Sequence, residues 1–150
     1  MASKSQLNER LALIGTIDPD AYSANTYTSD EINMQDYSRV LFILTAGDLG
    51  SSATVDFEIN GGATSDPGAL ATLVTGKDAT QLTQAGGDSN KQVIIEVSAE
   101  EAAAQGLNYL EAEVIVGTAA CDLGLVVLGE PAHYSDTAGL DLASVAEVIG

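Results

Sequence analysis

Few residues of this 150-residue chain could perform acid–base or nucleophilic chemistry. The single histidine, His133, follows Pro131 shortly after an apolar run. A hydrolytic triad needs a nucleophile, a base and an orienting group, and no G-x-S-x-G sequence is present to supply the nucleophile. We therefore interpret His133 as a surface-loop or interface residue, and predict no catalytic residues and no enzymatic activity.

The single cysteine, Cys121, has no basic residue nearby in the sequence that would stabilise a thiolate. A lone cysteine also excludes an internal disulfide and a cysteine-based zinc site. We predict that Cys121 is a small buried hydrophobic residue. The sequence predicts no cofactor and no metal-binding residue.

Carboxylates are the abundant polar groups: 22 acidic residues against 5 basic ones give a net charge of −17. Such a charge repels phosphate backbones and anionic lipids, which argues against nucleic-acid and membrane partners. Acidic residues in predicted loops at 18–20, 65–68 and 86–90 could supply calcium ligands, although none matches the EF-hand pattern. This leaves open the hypothesis of a secreted-type or fibre-associated module that binds carbohydrate through its loops with the help of calcium.

The middle of the chain reads as strands separated by Gly, Asp and Asn turns. Residues 53–60 and 109–116 alternate apolar and polar side chains, the period of a half-buried strand. Short runs at 40–44, 91–97 and 123–128 are apolar or β-branched and favour buried strands. Two weaker candidates are 71–74 and 79–83, separated by a predicted turn at 75–78, and one short helix is predicted over 98–106 from its capping pattern.

This spacing of strands predicts an all-β fold, an antiparallel β-sandwich or jelly roll, with no doubly wound α/β alternative. The outward positions of two strands carry the pairs Asp56/Glu58 and Glu111/Glu113. We predict that both pairs are solvated rows that guard against edge pairing. Any partner is then expected to dock elsewhere, where the charge is lower.

Both ends of the chain differ from this middle. Apolar spacing predicts an amphipathic helical stretch over 4–14, followed by an extended arm, and apolar residues continue after Pro131. The expected organisation is an N-terminal arm (1–30), a β-sandwich (31–130) and a C-terminal tail (131–150). The apolar ends could be buried by another subunit or could fold back over the sandwich, and both alternatives stay open. No signal peptide or spanning segment is seen, so synthesis in a cytoplasm is expected.

Several stretches resemble head decoration (cement) proteins of tailed bacteriophages: 7–15, 22–27, 39–48, 53–56, 75–88 and 126–134. The resemblance implies a protein made in the cytoplasm of a host bacterium. It also implies a homo-oligomer, with a trimer favoured and a dimer possible, on the exterior of a phage head. There it would bind the major capsid protein and stabilise the joints between capsomers. With the apolar ends, it indicates candidate interface residues at Leu7, Leu11, Ile14, Tyr22, Tyr27, Leu140, Leu142 and Val145.

Overall fold

The computed structural model describes residues 7–132 and 145–147, and within them the fold is all-β. Two short helices accompany the strands. The elements, in chain order, are α1 (Leu7–Arg10), β1 (Ala12–Tyr22), β2 (Asn25–Thr28), β3 (Ile32–Asn33), β4 (Tyr37–Leu49), β5 (Thr54–Gly62), β6 (Thr72–Asp78), β7 (Leu82–Thr83), β8 (Gln92–Ser98), α2 (Ala99–Ala104), β9 (Tyr109–Gly117) and β10 (Cys121–Pro131).

The strands form two antiparallel sheets. Sheet A has the order β1-β10-β4-β8, and sheet B has the order β2-β9-β5-β6, with the short β3 and β7 added to β9 and β5. Pairing runs inward from the two ends of the chain: β1 with β10, β2 with β9, β4 with β8 and β5 with β6. A ribbon of antiparallel pairs wrapped into two sheets in this way is a jelly roll.

The core lies between the sheets and is built by the alternation that the sequence predicts. Val55, Phe57 and Ile59 of β5 are buried, and so are Val114 and Val116 of β9. Strands β4, β8 and β10 occupy the apolar runs that predict them. The predicted alternation therefore fixes which side of each central strand faces the other sheet.

The predicted connector helix is confirmed as α2. The Ser98 hydroxyl accepts from the Glu101 backbone N–H, and the Glu101 carboxylate accepts in return from the Ser98 N–H, at 3.1 and 2.8 Å. This capping box pairs amide groups that the first turn of a helix leaves without partners. The hydrogen bond from Ser98, followed by that from Lys77, lowers the pKa of Glu101.

The structure corrects the prediction for the N-terminal end. The helix stops at Arg10, and residues 12–28 form β1 and β2, so this part of the expected arm lies within the sandwich. Irregular register between Leu13 and Gly15, and between Ile17 and Asp20, breaks the alternation along β1. The period of two is therefore hidden in the sequence, and the spacing of apolar residues resembles that of a helix.

A second correction concerns the weaker strand candidates. Residues 72–78 form one continuous strand, β6, where the sequence predicts a turn over 75–78. Gly76 has a φ of +72° within this strand. Pairing of β6 with β5 at Glu58–Asp78 and Gly61–Thr72 overrides the local turn signal.

The position of β1 makes a prediction about truncation. Deleting residues 1–10 removes no strand, so we expect a free energy of unfolding within about 1 kcal/mol of the full chain. Deleting residues 1–20 removes the buried Ile14 and Ile17 and most of β1, and should cost more than about 4 kcal/mol, because each buried isoleucine contributes roughly 2–5 kcal/mol.

Urea denaturation followed by circular dichroism measures both truncations. Equal stability of the two shortened proteins would contradict the placement of β1 in sheet A.

Candidate interaction surface

The two central strands of sheet A, β4 and β10, are apolar on both faces in their middle. Phe42 and Val127 point into the core and are fully buried, whereas their chain neighbours Ile43 and Val126 point to the opposite side. Six aliphatic residues form two adjacent rows across that outer side, and we call them the apolar face: Leu13, Leu128 and Leu41 in one row, and Val126, Ile43 and Ile94 in the other.

The apolar face is open to solvent. Val126 is 40% exposed and Ile94 is 62% exposed, while the other four side chains are half-buried. Monomeric proteins rarely leave large contiguous apolar patches in water, and such patches mark interaction sites. The apolar face is therefore the strongest candidate for an interaction surface in the described part of the chain.

A groove adjoins the apolar face where β1 bulges over β10. Pro19 lies so close to Gly124 that a Cβ placed on Gly124 would be 3.1 Å from the Pro19 Cα, so only glycine fits beneath the bulge without a shift. The groove has a volume of about 750 Å³, and its lining includes Val126 of the apolar face as well as Asp18, Asp20 and Asp122. We call it the acidic groove.

The edges of sheet A are protected, unlike its outer face. At β1, the Asp30 carboxylate accepts a hydrogen bond from the Thr16 backbone N–H at 3.1 Å. At β8, Lys77 donates to the Glu96 backbone carbonyl at 2.6 Å and pairs with Glu101 at 3.0 Å. Side chains that occupy backbone groups of edge strands hinder the addition of another strand. Association through the face is thus favoured over association through these edge positions.

The outer face of sheet B carries acidic groups. Asp78, Glu58 and Glu113 are neighbours across β6, β5 and β9, and the Asn60 amide donates to both glutamates at 3.2 and 3.3 Å. Glu58 and Asp56 are half-exposed, in agreement with the predicted solvated row. The outer side of sheet B is therefore acidic, whereas that of sheet A has an aliphatic middle, with Arg39 and Glu96 towards one end of the strands and the acidic groove at the other.

The prediction that the Glu111/Glu113 pair is solvated is wrong for Glu111. It is fully buried, because residues 63–71 lie over it, and its two carboxylate oxygens accept from the Gly68 and Leu70 backbone N–H groups at 2.8 and 3.0 Å. Glu31 holds the same loop, accepting from the Asp66 N–H at 2.7 Å. Burial raises the pKa of Glu111, although the two N–H groups oppose this. Glu111 therefore serves to hold the loop and is not a solvated charge.

The predicted interface residues are exposed, buried in the core, half-buried, or outside the described residues. Leu7 and Leu11 are 69% and 36% exposed, and Leu11 lies two residues before Leu13 of the apolar face. Ile14 is buried in the core of its own chain, because β1 pairs with β10, so the expectation that it contacts another protein is not met in this structure. Leu140 and Leu142 lie outside the described residues, as does His133, and Val145 is half-buried.

Tyr22 and Tyr27 stack edge to face, with ring centroids 4.5 Å apart, at the corner where β1 passes into β2. Each ring is half-buried against the core, and each hydroxyl donates to a backbone carbonyl, that of Asp18 and that of Ser23 respectively. Desolvation, followed by the nearby Asp18 and Asp20 charges, raises the pKa of Tyr22. Both tyrosines therefore have a structural role at this corner.

The remaining candidates for chemistry are Cys121 and the possible metal ligands. Cys121 is buried, as predicted, and burial raises the pKa of its thiol. Among residues 7–132 and 145–147, no group of three or more His, Cys, Asp or Glu side chains is arranged to hold a metal ion. Neither α1 nor α2 is long and apolar enough to cross a membrane.

Comparison with known proteins finds matches among solved structures, including two distant viral ones. No family model matches the chain, and no curated protein does. A chain in the structure of infectious bursal disease virus, Gx strain, matches at 15% identity with a TM-score of 0.40; the match covers 83% of this chain but only 34% of the viral one. The coat protein of Tobacco streak virus matches at 13% identity with a TM-score of 0.37, covering 91% and 96% of the two chains. We assign no function from matches this distant.

The contacts of Glu111 predict the effect of replacing it. In E111A, the Gly68 and Leu70 N–H groups lose their acceptors, and each unsatisfied group costs about 1–3 kcal/mol. E111Q keeps one acceptor oxygen and should be intermediate. Amide hydrogen exchange is expected to quicken at residues 68 and 70 in the order wild type, E111Q, E111A. Unchanged exchange in E111A would contradict the arrangement.

The raised pKa of Glu111 also predicts a pH dependence. The folded protein holds this proton more tightly than the unfolded chain, so the stabilisation is present below the ordinary glutamate pKa of about 4.3 and is lost as the pH rises through the folded value. The free energy of unfolding of the wild type, minus that of E111Q, should therefore fall as the pH rises above about 4. Asp88 and Glu101, whose pKa values are lowered, act in the opposite direction but are common to both proteins.

Urea denaturation at a series of pH values gives this difference. A difference that grows with pH would contradict the assigned direction.

Proposed function

We propose that this chain is a non-enzymatic structural protein of a virus particle, a decoration protein that binds the outer surface of a tailed-phage head and stabilises the joints between capsomers. The observation that carries the proposal is that one outer face has aliphatic rows in its middle and the other has an acidic row. The apolar face lies on sheet A, and the acidic row of Asp78, Glu58 and Glu113 lies on sheet B.

Each face suits one side of a shell. Aliphatic side chains gain free energy when a partner removes them from water, at roughly 25 cal/mol per Å² of apolar surface. A carboxylate row directed to solvent keeps particles apart by charge repulsion. The proposed orientation therefore places sheet A against the major capsid protein and sheet B outward.

The fold is suited to a structural role that requires no conformational change. Jelly rolls occur in viral capsid proteins, but also in lectins and cupins, so the topology by itself supports only a class of possibilities. The backbone is held by sheet pairing and by the Glu111 and Glu31 contacts to residues 63–71, which keep this loop on the sandwich. A rigid body with two distinct sides can bear load between capsomers without a catalytic site.

The exposed Leu7 and Leu11 extend the proposed contact beyond the apolar face. Leu11 precedes β1, where Leu13 begins the first row, so a shell surface that covers one can reach the other. The proposed interface also includes the C-terminal residues Leu140, Leu142 and Val145. We further propose that the protein is a homo-oligomer, with a trimer favoured over a dimer. Several copies acting together would bind the shell more tightly than one, through their high effective concentration.

Addition of purified protein to phage heads that lack it tests the proposal. We expect the protein to sediment with the heads, and to raise the temperature at which heating releases the packaged DNA. Electron microscopy of the decorated heads should show density on the outer surface only.

The truncation that removes residues 1–10 is the informative variant, because it keeps β1 and removes Leu7. It should bind heads more weakly while its free energy of unfolding stays within about 1 kcal/mol of the full chain. Absence of the protein from the sedimented heads, at concentrations where the fold is intact, would refute the proposed function.

A further inference from the structure

We infer that the acidic groove and the adjoining apolar face bind a protein segment that carries a cluster of aliphatic side chains with lysine or arginine side chains at one end of it. This inference rests on the proposed function and gives the chemistry of the partner surface. The structure supports it through the shape of the groove, the charges around it and the state of the sheet edges.

The groove and the apolar face form one continuous surface. Val126 belongs to both, since it lines the groove and stands in the second aliphatic row. The next row along β10 and β4 contains Gly124 and Thr45, which add no bulky side chain and leave the space beneath Pro19 open. The volume of about 750 Å³ falls within the range of about 300–1,000 Å³ that is usual for binding clefts. An extended segment can therefore place side chains in the groove and continue over the apolar face.

The rim of the groove determines the charge of the partner. Asp18, Asp20 and Asp122 are exposed around it, and none of the ion pairs among the described residues involves them. An anionic partner would be repelled, whereas lysine or arginine side chains would find three carboxylates without a counter-ion. The adjoining apolar face selects aliphatic side chains next to those basic ones.

A second copy of this chain fits the groove poorly. The whole sequence has only 5 basic residues against 22 acidic ones. Three of them are engaged in the described structure: Lys77 with Glu101, Lys91 with Asp88, and Arg39 at 4.0 Å from Glu96. Two copies brought face to face would add carboxylates to carboxylates. The partner is therefore a different protein that carries the complementary charge.

The geometry of sheet A also decides how the partner lies. Asp30 and Lys77 occupy backbone groups at its two edges, so the segment is expected to cross the face of the sheet rather than add a strand to it. Affinity then comes from side-chain contacts and charge. Association should weaken as salt rises, because exposed charge pairs are screened.

The test uses a synthetic peptide with leucines in one half and lysines in the other, titrated into isotope-labelled full-length protein and followed by NMR. We expect saturable amide shifts in β10, β4 and the β1 bulge, with an affinity that falls as salt is added. A peptide of the same pattern with glutamate in place of lysine, and one with serine in place of leucine, should each bind at least tenfold more weakly. Equal binding of all three would overturn the inference.

Two matched pairs of variants locate the site. V126K places a charge on the apolar face and should weaken peptide binding at least tenfold; L73K changes a residue of sheet B that is equally exposed, 42% against 40%, and should stay within twofold. D122N should reduce the salt dependence of binding, whereas D78N, on the acidic side, should leave it unchanged. Peptide shifts confined to sheet B, or equal effects of V126K and L73K, would overturn the inference.

Two other occupants of the apolar face, a second copy of this chain and residues 133–150, would give different experimental results. If V126K converts an oligomer into a monomer in sedimentation experiments, the face belongs to contacts between copies and the inference is wrong. The same conclusion follows if deleting residues 133–150, without any peptide, produces the shifts at Val126. A failed peptide titration together with normal sedimentation on phage heads would refute this inference alone, since the proposed function is tested by the heads.

Discussion

The structure depends on two central strands whose middle residues are apolar on both sides, although folding buries only one of these sides. Strands β4 and β10 lie in the middle of sheet A, and each alternates between side chains that enter the core and side chains that leave it. Sheet B covers one side only, so folding buries Phe42 and Val127 but leaves Ile43 and Val126 on the surface. A jelly roll of this size closes its core with two sheets, and a third layer must come from another molecule or segment. The apolar face follows from this constraint.

Much of the fold could be predicted from the sequence, because the central strands carry a simple alternation. Residues 53–60 and 109–116 show it directly, and the buried sides of β5 and β9 are those that the pattern indicates. Strand β1 could not be predicted in this way, since two irregularities reset the period along it. Its identity depends on pairing with β10, which lies at the other end of the chain and leaves no local signal.

Glu111 shows a second limit of prediction from the alternation of side chains. Alternation correctly places it on the side of β9 away from the core, and a carboxylate there is expected in water. Residues 63–71 cover it instead, and their backbone N–H groups replace the lost water. Nothing in the local sequence of β9 encodes a loop that comes from another part of the chain. For the same reason, the continuous apolar run at 40–44 predicts a strand buried on both faces, whereas only the structure shows which face lacks a cover.

Charge and edge protection together favour the face as the site of contact. A chain with a net charge of −17 repels its own copies over distances of about 10 Å at ordinary salt, so association needs either a local apolar contact or a partner of opposite charge. Lys77, one of the few cations, is engaged at the β8 edge, where it occupies the Glu96 carbonyl and pairs with Glu101. Strand addition there would have to break both contacts. The aliphatic rows on the outer face of sheet A carry no such contacts, and the adjoining acidic groove has Asp18, Asp20 and Asp122 at its rim, which form no ion pair among the described residues. A surface that is apolar in the middle and negative at one end discriminates between partners by charge while gaining most of its binding free energy from burial.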